Sequence, residues 1–319
     1  RDFEKALETI DGVLFPDHPY GTQTVLGTQE HLKNPSIINI KNYYKKYYVP
    51  NNMAICVSGD FNPDEMVAII EKYFGRMQPN EDLSELTLKT EFQLEAPVEK
   101  EVYGLDAEAI IMGWKYPGAA SKDALIAEVA ASVLYNGAAG LIDLNINQEQ
   151  KVLGASGMSY PRPDASELII MAYPKQGQTL DEVREIMLEE VAKLRNGEFD
   201  EESLAGTVNN LRLAQMKSLE SNASRADMFV NSFINGTEWK DEVKKLDNMS
   251  QVTKEDIIRW AEKYLRDNNY AIVYKRQGED KDIIKVTAPM ITPIKANRDI
   301  QSAFLAEITE TEVDPVEPV

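Results

Sequence analysis

Residues 257–276 read IIRWAEKYLRDNNYAIVYKR, and this stretch decides the interpretation of the fold because a related version occurs earlier in the chain. Residues 40–59, IKNYYKKYYVPNNMAICVSG, align with it at a constant offset of 217 positions (257 minus 40). The agreement covers a helix-like part, an Asn-Asn turn and a β-rich part together, which favours an internal duplication over chance similarity. The identical pairs are Ile40/Ile257, Lys46/Lys263, Tyr47/Tyr264, Asn51/Asn268, Asn52/Asn269, Ala54/Ala271 and Ile55/Ile272.

The repeat predicts the domain organisation. If each copy is about 217 residues long and ends with this helix-turn-strand unit, the second copy fits between Val98 and Gln277. Only some sixty residues precede the end of the first copy, so we expect its front part to lie upstream of Arg1. The sequence thus predicts the C-terminal part of a first domain (1–80), a connector (81–97), a complete second domain (98–277) and a linker or tail with one short strand (278–319).

The order of elements in residues 98–277 predicts the fold class. One strand is expected over residues 100–118, a helix capped by Ser121, a helix over 140–154, a hairpin over 155–177 and helices from Thr179 onward. Together with the final strand, these elements predict an α+β (α/β) sandwich, a mixed and mostly antiparallel sheet with helices packed on one face. In the first copy we expect a helix over 37–47, a buried strand over 52–59 and a helix that ends at Gly75.

Composition limits the partners of the chain. The formal net charge of −19 over 319 residues argues against nucleic acid or an anionic membrane as a partner. No apolar run reaches the length of about 20 residues that spans a bilayer. The single cysteine, Cys56, excludes an internal disulfide and any site built from several cysteines. Scarce cysteine suits a bacterial cytoplasm and also many exported bacterial proteins, so the compartment, cytoplasm or periplasm, stays open.

Catalytic motifs are not found in the printed sequence. The stretch GTQEH at residues 27–31 differs from the zinc motif H-x-x-E-H by having Gly27 in place of the first histidine. The only histidines are His18 and His31, whereas a zinc site needs three or four converging ligands. We expect His18 to pack within a Pro-Gly loop and His31 to begin a turn, and Cys56 is expected in a buried strand. We therefore predict neither a catalytic residue nor a metal ligand in this chain.

Residues 15–75 resemble a segment of the M16 metallopeptidases, the family of pitrilysin, insulin-degrading enzyme and mitochondrial processing peptidase. The similar features are the HPYG loop (18–21), the LG-x-x-E stretch (26–30), the helix of Tyr and Lys, NNM (51–53) and AICVSGDF (54–61). The resemblance is dense over residues 12–75 and looser to about residue 275. It implies repeated α/β domains, two per half-molecule, which agrees with the duplication.

The resemblance also implies where chemistry takes place. In the family, an H-x-x-E-H helix and a further downstream Glu bind zinc, and the Glu between the histidines activates water. These groups precede the HPYG loop, so we expect them upstream of Arg1, and Gly27 and Glu30 belong to a loop that leads to a helix. An Arg and a Tyr seven residues apart in the family's second half help to hold substrate, and the matching positions here are Gln148 and Ala155.

The resemblance predicts a fragment of a zinc-dependent endopeptidase that degrades or processes peptides. The chain would supply scaffold and part of the wall of a peptide chamber, and would be inactive alone. Its partners would be a peptide or unfolded protein substrate and the remaining half of the molecule, on the same polypeptide or on a homologous subunit. The alternatives are a non-catalytic, M16-like structural or interaction subunit and an unrelated α+β binding module.

Overall fold

The sheet of the second predicted domain organises the molecule. The structure, a computed structural model, describes residues 2–83, 88–90, 92–281, 286–287, 290, 297 and 300–310. The sheet has the order β1-β5-β2-β4-β3, in which β1 and β5 are parallel and the other three pairs are antiparallel. The predicted mixed, mostly antiparallel sheet is confirmed. The strands are β1 Val98–Gly104, β2 Ala109–Pro117, β3 Gly154–Tyr160, β4 Ala165–Tyr173 and β5 Ala271–Gln277.

Helices account for most of the remaining described residues. Side-chain caps begin several of them where the sequence predicts, including Ser36, Ser121 and Thr179, and a left-handed Gly197 follows the helix that Thr179 caps. The helices are α1 Asp2–Leu14, α2 Pro19–Thr22, α3 Gln29–Lys33, α4 Ile37–Tyr47, α5 Pro63–Phe74, α6 Lys122–Leu134, α7 Leu180–Asn196, α8 Glu201–Ser218, α9 Asn222–Asn235, α10 Trp239–Val243, α11 Lys245–Met249, α12 Lys254–Tyr264 and α13 Ala303–Glu310.

Both faces of the sheet are covered. Helices α6, α7 and α12 bury one face in the larger core, which includes Trp114, Leu168 and Ile272. The other face is buried mainly by α1, through Ile10 and Leu14. The expectation of helices on one face is thus correct for the main helical layer, and α1 adds cover on the opposite side. The reason is visible in β2, whose apolar run AIIMGW gives both faces apolar side chains.

Close approach of α1 depends on a glycine in the central strand. A β-carbon at Gly113 would lie only 2.8 Å from Ile10 Cγ2 and 3.1 Å from Leu14 Cδ1. A side chain at Gly113 would therefore push the helix away from the sheet.

The strand predicted over residues 52–59 is wrong. The backbone at Met53 is extended, but no strand of the described chain pairs with this segment, and Ile55 and Val57 are exposed. A strand is stable only when a neighbour satisfies its backbone groups and covers its apolar side chains. The equivalent segment of the second copy, β5, has a neighbour on each side.

Two further predictions need correction. The single strand expected over 100–118 is split into β1 and β2, and Lys275 Nζ donates to the carbonyl groups of Gly104, Asp106 and Ala107 in the intervening turn. The helix expected over 140–154 is shorter: two α-helical residues (141–142) continue directly into the π-helix Asp143–Gln148, and a turn follows. In the tail, α13 lies within 278–319, and the remaining described positions do not test the short strand predicted there, because most of that tail lies outside the described residues.

The packing of α1 gives a first prediction. Ile10→Ala should lower the free energy of unfolding by about 2–5 kcal/mol, because it removes a fully buried side chain between α1 and the sheet. Ile38→Ala in α4 is the matched control, since that isoleucine is exposed and its loss should change stability by less than about 0.5 kcal/mol. Urea unfolding followed by circular dichroism measures both, and equal effects would contradict this packing.

Candidate functional site

His18 lies in the loop between α1 and α2 and is buried. Its Nδ1 accepts a hydrogen bond from the Tyr20 backbone N–H at 3.1 Å, which caps α2, and its ring packs on Tyr20 at 4.1 Å between centroids. Nε2 lies 3.5 Å from Asp164 Oδ2. Burial lowers the pKa of His18 from its usual 6.5, although Asp164 opposes this shift. The ring is therefore a neutral part of the loop.

His31 caps the start of α3 instead of facing His18. Its Nδ1 accepts from the Thr28 N–H, and the Thr28 hydroxyl accepts from the His31 N–H, both at 3.3 Å. Gly27 precedes this capping box with a φ of +74°, which favours glycine, and Glu30 is an exposed residue of α3. The arrangement agrees with a loop that leads into a helix.

Zinc, which the family resemblance implies, does not fit these side chains. His31 uses Nδ1 in the capping box, and the buried Nε2 of His18 faces a single carboxylate. Within the described ranges, no group of three or more His, Cys, Asp or Glu side chains could hold a metal ion. Cys56 is half-buried and has no disulfide partner. We therefore assign no step of zinc chemistry to this part of the chain.

The segment that the sequence resemblance assigned to the family's Arg and Tyr positions is built on the π-helix. Near the end of the π-helix, Asn147 Nδ2 donates to the Ala155 carbonyl and Asn147 Oδ1 accepts from the Ala155 N–H, each at 2.9 Å. The structure thus brings the neighbourhood of Gln148 to the start of β3. Gln148 Nε2 lies 3.5 Å from the Ala138 carbonyl, and Ala155 is buried. Neither position supplies a positive charge or a phenol.

Two buried acids, Asp143 and Glu190, hold this segment, and neither was predicted from the sequence. Asp143 Oδ2 accepts from the N–H groups of Asn136 and Gly140, each at 3.0 Å, and so closes the loop before the π-helix. Glu190 of α7 accepts from Asn145 Nδ2 at 2.7 Å. An acid inside the apolar stretch GLIDLNI was a usable signal for Asp143. π-Helices are frequent at functional sites, so this segment is a candidate for recognition.

A second missed feature is a partly buried cluster of charges under α1, in which Glu167 and Lys115 are buried and Asp11 and Arg162 are half-buried. Arg162, in the β3–β4 turn, binds Asp11 of α1 through Nη1 and Nη2 at 3.0 and 3.2 Å, and also donates to Glu167 Oε1. Lys115 lies opposite Glu167 in the sheet and donates to the carbonyl of Thr90 at 2.9 Å. Lys115 and Glu167 each interrupt an apolar strand, which is the signal that could have revealed them.

A cavity of about 790 Å³ opens beside the N-terminus of α6 and is lined by α9, α10 and α11. Leu125, Ile126 and Val252 contribute apolar surface, and Lys245 and Glu128 form an ion pair of 2.7 Å at its wall. Its lining mixes carboxylates and carboxamides, and of the residues singled out from the sequence only the helix cap Ser121 lies there, with none of the candidate site residues.

Comparison with known proteins identifies the family. The Peptidase M16 inactive domain family matches residues 38–211, which is more than half of the chain. The chain therefore belongs to this family, and the resemblance noted in the sequence is confirmed. Within the described residues, no helix has the length and apolar character needed to cross a membrane.

Three relatives place the chain among larger proteins. Zinc protease PqqE of Helicobacter pylori is 21% identical over 271 residues, covering 81% of this chain and 58% of the relative. The chain thus spans about three fifths of that relative's length. The crystal structure of a protease from Helicobacter pylori has a TM-score of 0.75 at 18% identity, covering 86% of this chain and 70% of that one. The first half of the periplasmic protease PqqL from Escherichia coli has a TM-score of 0.68 at 13% identity, covering 86% and 61%. At these identities the two structures show the fold alone.

The histidine geometry gives a second prediction. Titration of the purified chain with zinc should give no stoichiometric, tight binding, because neither imidazole has converging partners. Calorimetry and metal analysis after dialysis are the measurements, with a His18→Ala/His31→Ala double variant as the control. Tight zinc binding that disappears in the double variant would contradict the assignment.

Proposed function

We propose that this chain is part of an M16-type zinc-dependent endopeptidase that degrades or processes peptides. Its own role is to supply scaffold and part of the wall of a peptide chamber, and the zinc ligands and general-base Glu belong to sequence outside these residues. Membership of the M16 inactive domain family and the zinc protease name of a relative support this proposal.

One observation carries the proposal: equivalent residues of the two repeats differ sharply in exposure. Ile40 is 55% exposed and Ile257 is 0%; Tyr43 is 62% and Trp260 is 2%. An apolar face of this size on a helix normally packs against another element. We therefore assign residues 1–80 to an incomplete first domain whose α1 packs on the sheet of the second, 81–97 to a connector, 98–277 to the second domain and 278–319 to a linker or tail.

The sheet edge offers a place for an extended peptide in such a chamber. β3 pairs with β4 on one side and with no strand of the described chain on the other. A peptide can add to an open edge through backbone hydrogen bonds, which require little of its side chains. This mode suits an enzyme that acts on unfolded or extended substrates.

Gln148 and Ala155 support a division of labour between halves. Groups that stabilise a developing oxyanion must be polar or charged hydrogen-bond donors aimed at the place where the charge develops. At the two family positions this domain has the amide of Gln148 and the methyl group of Ala155. In the proposed enzyme, the partner half supplies the Arg and Tyr, either on the same polypeptide or on a homologous subunit. The same substitutions also favour the alternative function, a non-catalytic structural or interaction subunit.

The decisive experiment uses the complete gene product. We expect the full protein to contain zinc and to hydrolyse an unfolded peptide, and the present chain alone to do neither. Replacing the Glu of an upstream H-x-x-E-H motif with Gln should abolish hydrolysis while zinc remains bound. Full protein that carries no such motif, no zinc and no activity would replace this proposal with the structural-subunit alternative.

Hydrogen exchange tests the domain assignment separately. Amides of α4 and α5 should exchange much more slowly in the full protein than in this chain, because their apolar faces would be covered. Amides of α12, which is already buried, serve as the internal control and should exchange equally in both. Equal exchange of α4 in the two proteins would contradict the incomplete first domain.

A further inference from the structure

Two carboxyl groups and one guanidinium meet beneath α1. Asp11 and Glu167 both bind Arg162, and the guanidinium also stacks on Phe15 and Tyr20, with its carbon 5.5 and 4.9 Å from their ring centroids. Glu167 is almost fully buried. Two ionised carboxylates against one guanidinium would leave one buried negative charge without a matching partner at this site.

The second oxygen of Glu167 indicates how the charge is balanced. Oε2 is buried and accepts no hydrogen bond from any group that the structure describes. A bare carboxylate oxygen in that position is costly, whereas a protonated carboxyl can donate to the neighbouring Asp11. Burial first, and then the negative charge of Asp11, raise the pKa of Glu167 to about 8. Burial also raises the pKa of Asp11. At neutral pH the pair thus holds one proton.

Other titratable groups lie around Asp11 and Glu167, and their titration must be distinguished from that of the pair. Lys115 donates to the carbonyls of Thr90 and Phe92, and burial lowers its pKa to about 8. His18 is neutral and lies near Asp164, as described above. The surrounding groups are His18 and Tyr20 from the α2 segment, Lys115 and Tyr116 from β2, Tyr160 from β3, and Arg162 and Asp164 from the β3–β4 turn.

We propose that the proton shared by Asp11 and Glu167 is a latch that holds α1 on the sheet, and that its loss at mildly alkaline pH loosens the helix. Removing the proton places two negative charges on one guanidinium, and one of these charges, that of Glu167, is buried. The repulsion is reduced at the lowest cost in free energy when Asp11, and with it α1, moves into water. Because α1 leads through α2 to the first repeat unit, the latch controls how firmly that unit is tethered. The latch does not depend on the proposed peptidase function.

The direction of the pH effect follows from the pKa shifts. The pKa of Glu167 is raised from 4.5, so its stabilising contribution is complete below 4.5 and is lost as the pH rises through about 8. The pKa of His18 is lowered from 6.5, so its contribution is lost as the pH falls below 6.5. The pKa of Lys115 is lowered from 10.5 to about 8, so its contribution changes between pH 8 and 10.5. Between pH 6.5 and 8, therefore, Glu167 dominates.

The test is hydrogen exchange of the 319-residue chain between pH 6.5 and 8, corrected for the intrinsic pH dependence of exchange. Opening of α1 releases one proton, so its opening constant should rise up to about tenfold per pH unit. Amides of α7, on the opposite face of the sheet, should show no such rise. In Glu167→Gln, α1 should stay protected from exchange, and its opening constant should not change with pH across this range. The reason is that the amide can donate to Asp11 without titrating.

Glu190→Gln is the matched control, since Glu190 is a buried acid that binds Asn145 and Lys193, away from the latch. In this variant the opening constant of α1 should rise with pH as steeply as in the wild type. If Glu167→Gln does not fold, Asp11→Asn replaces it: Glu167 would then be the only carboxylate on Arg162, and the slope between pH 6.5 and 8 should disappear. The proposal would be overturned if the opening constant of α1 in the wild-type chain did not rise with pH. It would equally be overturned if that constant rose as steeply in Glu167→Gln or Asp11→Asn as in the wild type.

Discussion

The pairing of β5 on both of its edges is the interaction on which the structure depends. β5 lies between β1 and β2, parallel to one and antiparallel to the other, and so joins the two ends of residues 98–277. It also fixes α12, whose apolar residues pack against α6 and α7. The related unit at residues 40–59 has no neighbouring strand in the described chain and exposes its apolar side chains. Similar local sequence thus gives a core element in one place and an uncovered surface in the other.

A sheet covered on both faces must also accommodate its charged side chains. Lys275 and Lys115 are buried, and each directs its ammonium group to main-chain carbonyls, while Glu167 binds Arg162. Buried charges are tolerated when they are paired or hydrogen-bonded in this way. Their partners lie in α1, in the connector and in turns, so the same contacts that satisfy the charges also set where those segments dock.

The family comparison gives these features a functional setting. The chain has the M16 fold over its sheet domain, and its π-helix segment carries Gln148, while Ala155 lies at the start of β3; neither offers a charge or a phenol. Asp143, Glu190 and Asn147 hold that segment in place. An ordered segment without such side chains fits a domain that shapes a chamber while chemistry is performed elsewhere, as we propose.

The sequence by itself determined the elements that depend on local interactions. Caps at Ser36, Ser121 and Thr179 and the β3–β4 hairpin follow from patterns within a few residues and were predicted correctly. The mixed, mostly antiparallel sheet was predicted from the order of the elements along the chain. The site was less accessible: Gln148 and Ala155 were assigned only by resemblance to the family, and the contacts around them could not be predicted. Only the tertiary structure decided that residues 52–59 remain unpaired, that residues 143–148 form a π-helix and that Arg162 meets Asp11, 151 positions away. These outcomes depend on neighbours distant in sequence, which satisfy or fail to satisfy backbone groups and buried charges that local patterns alone do not place.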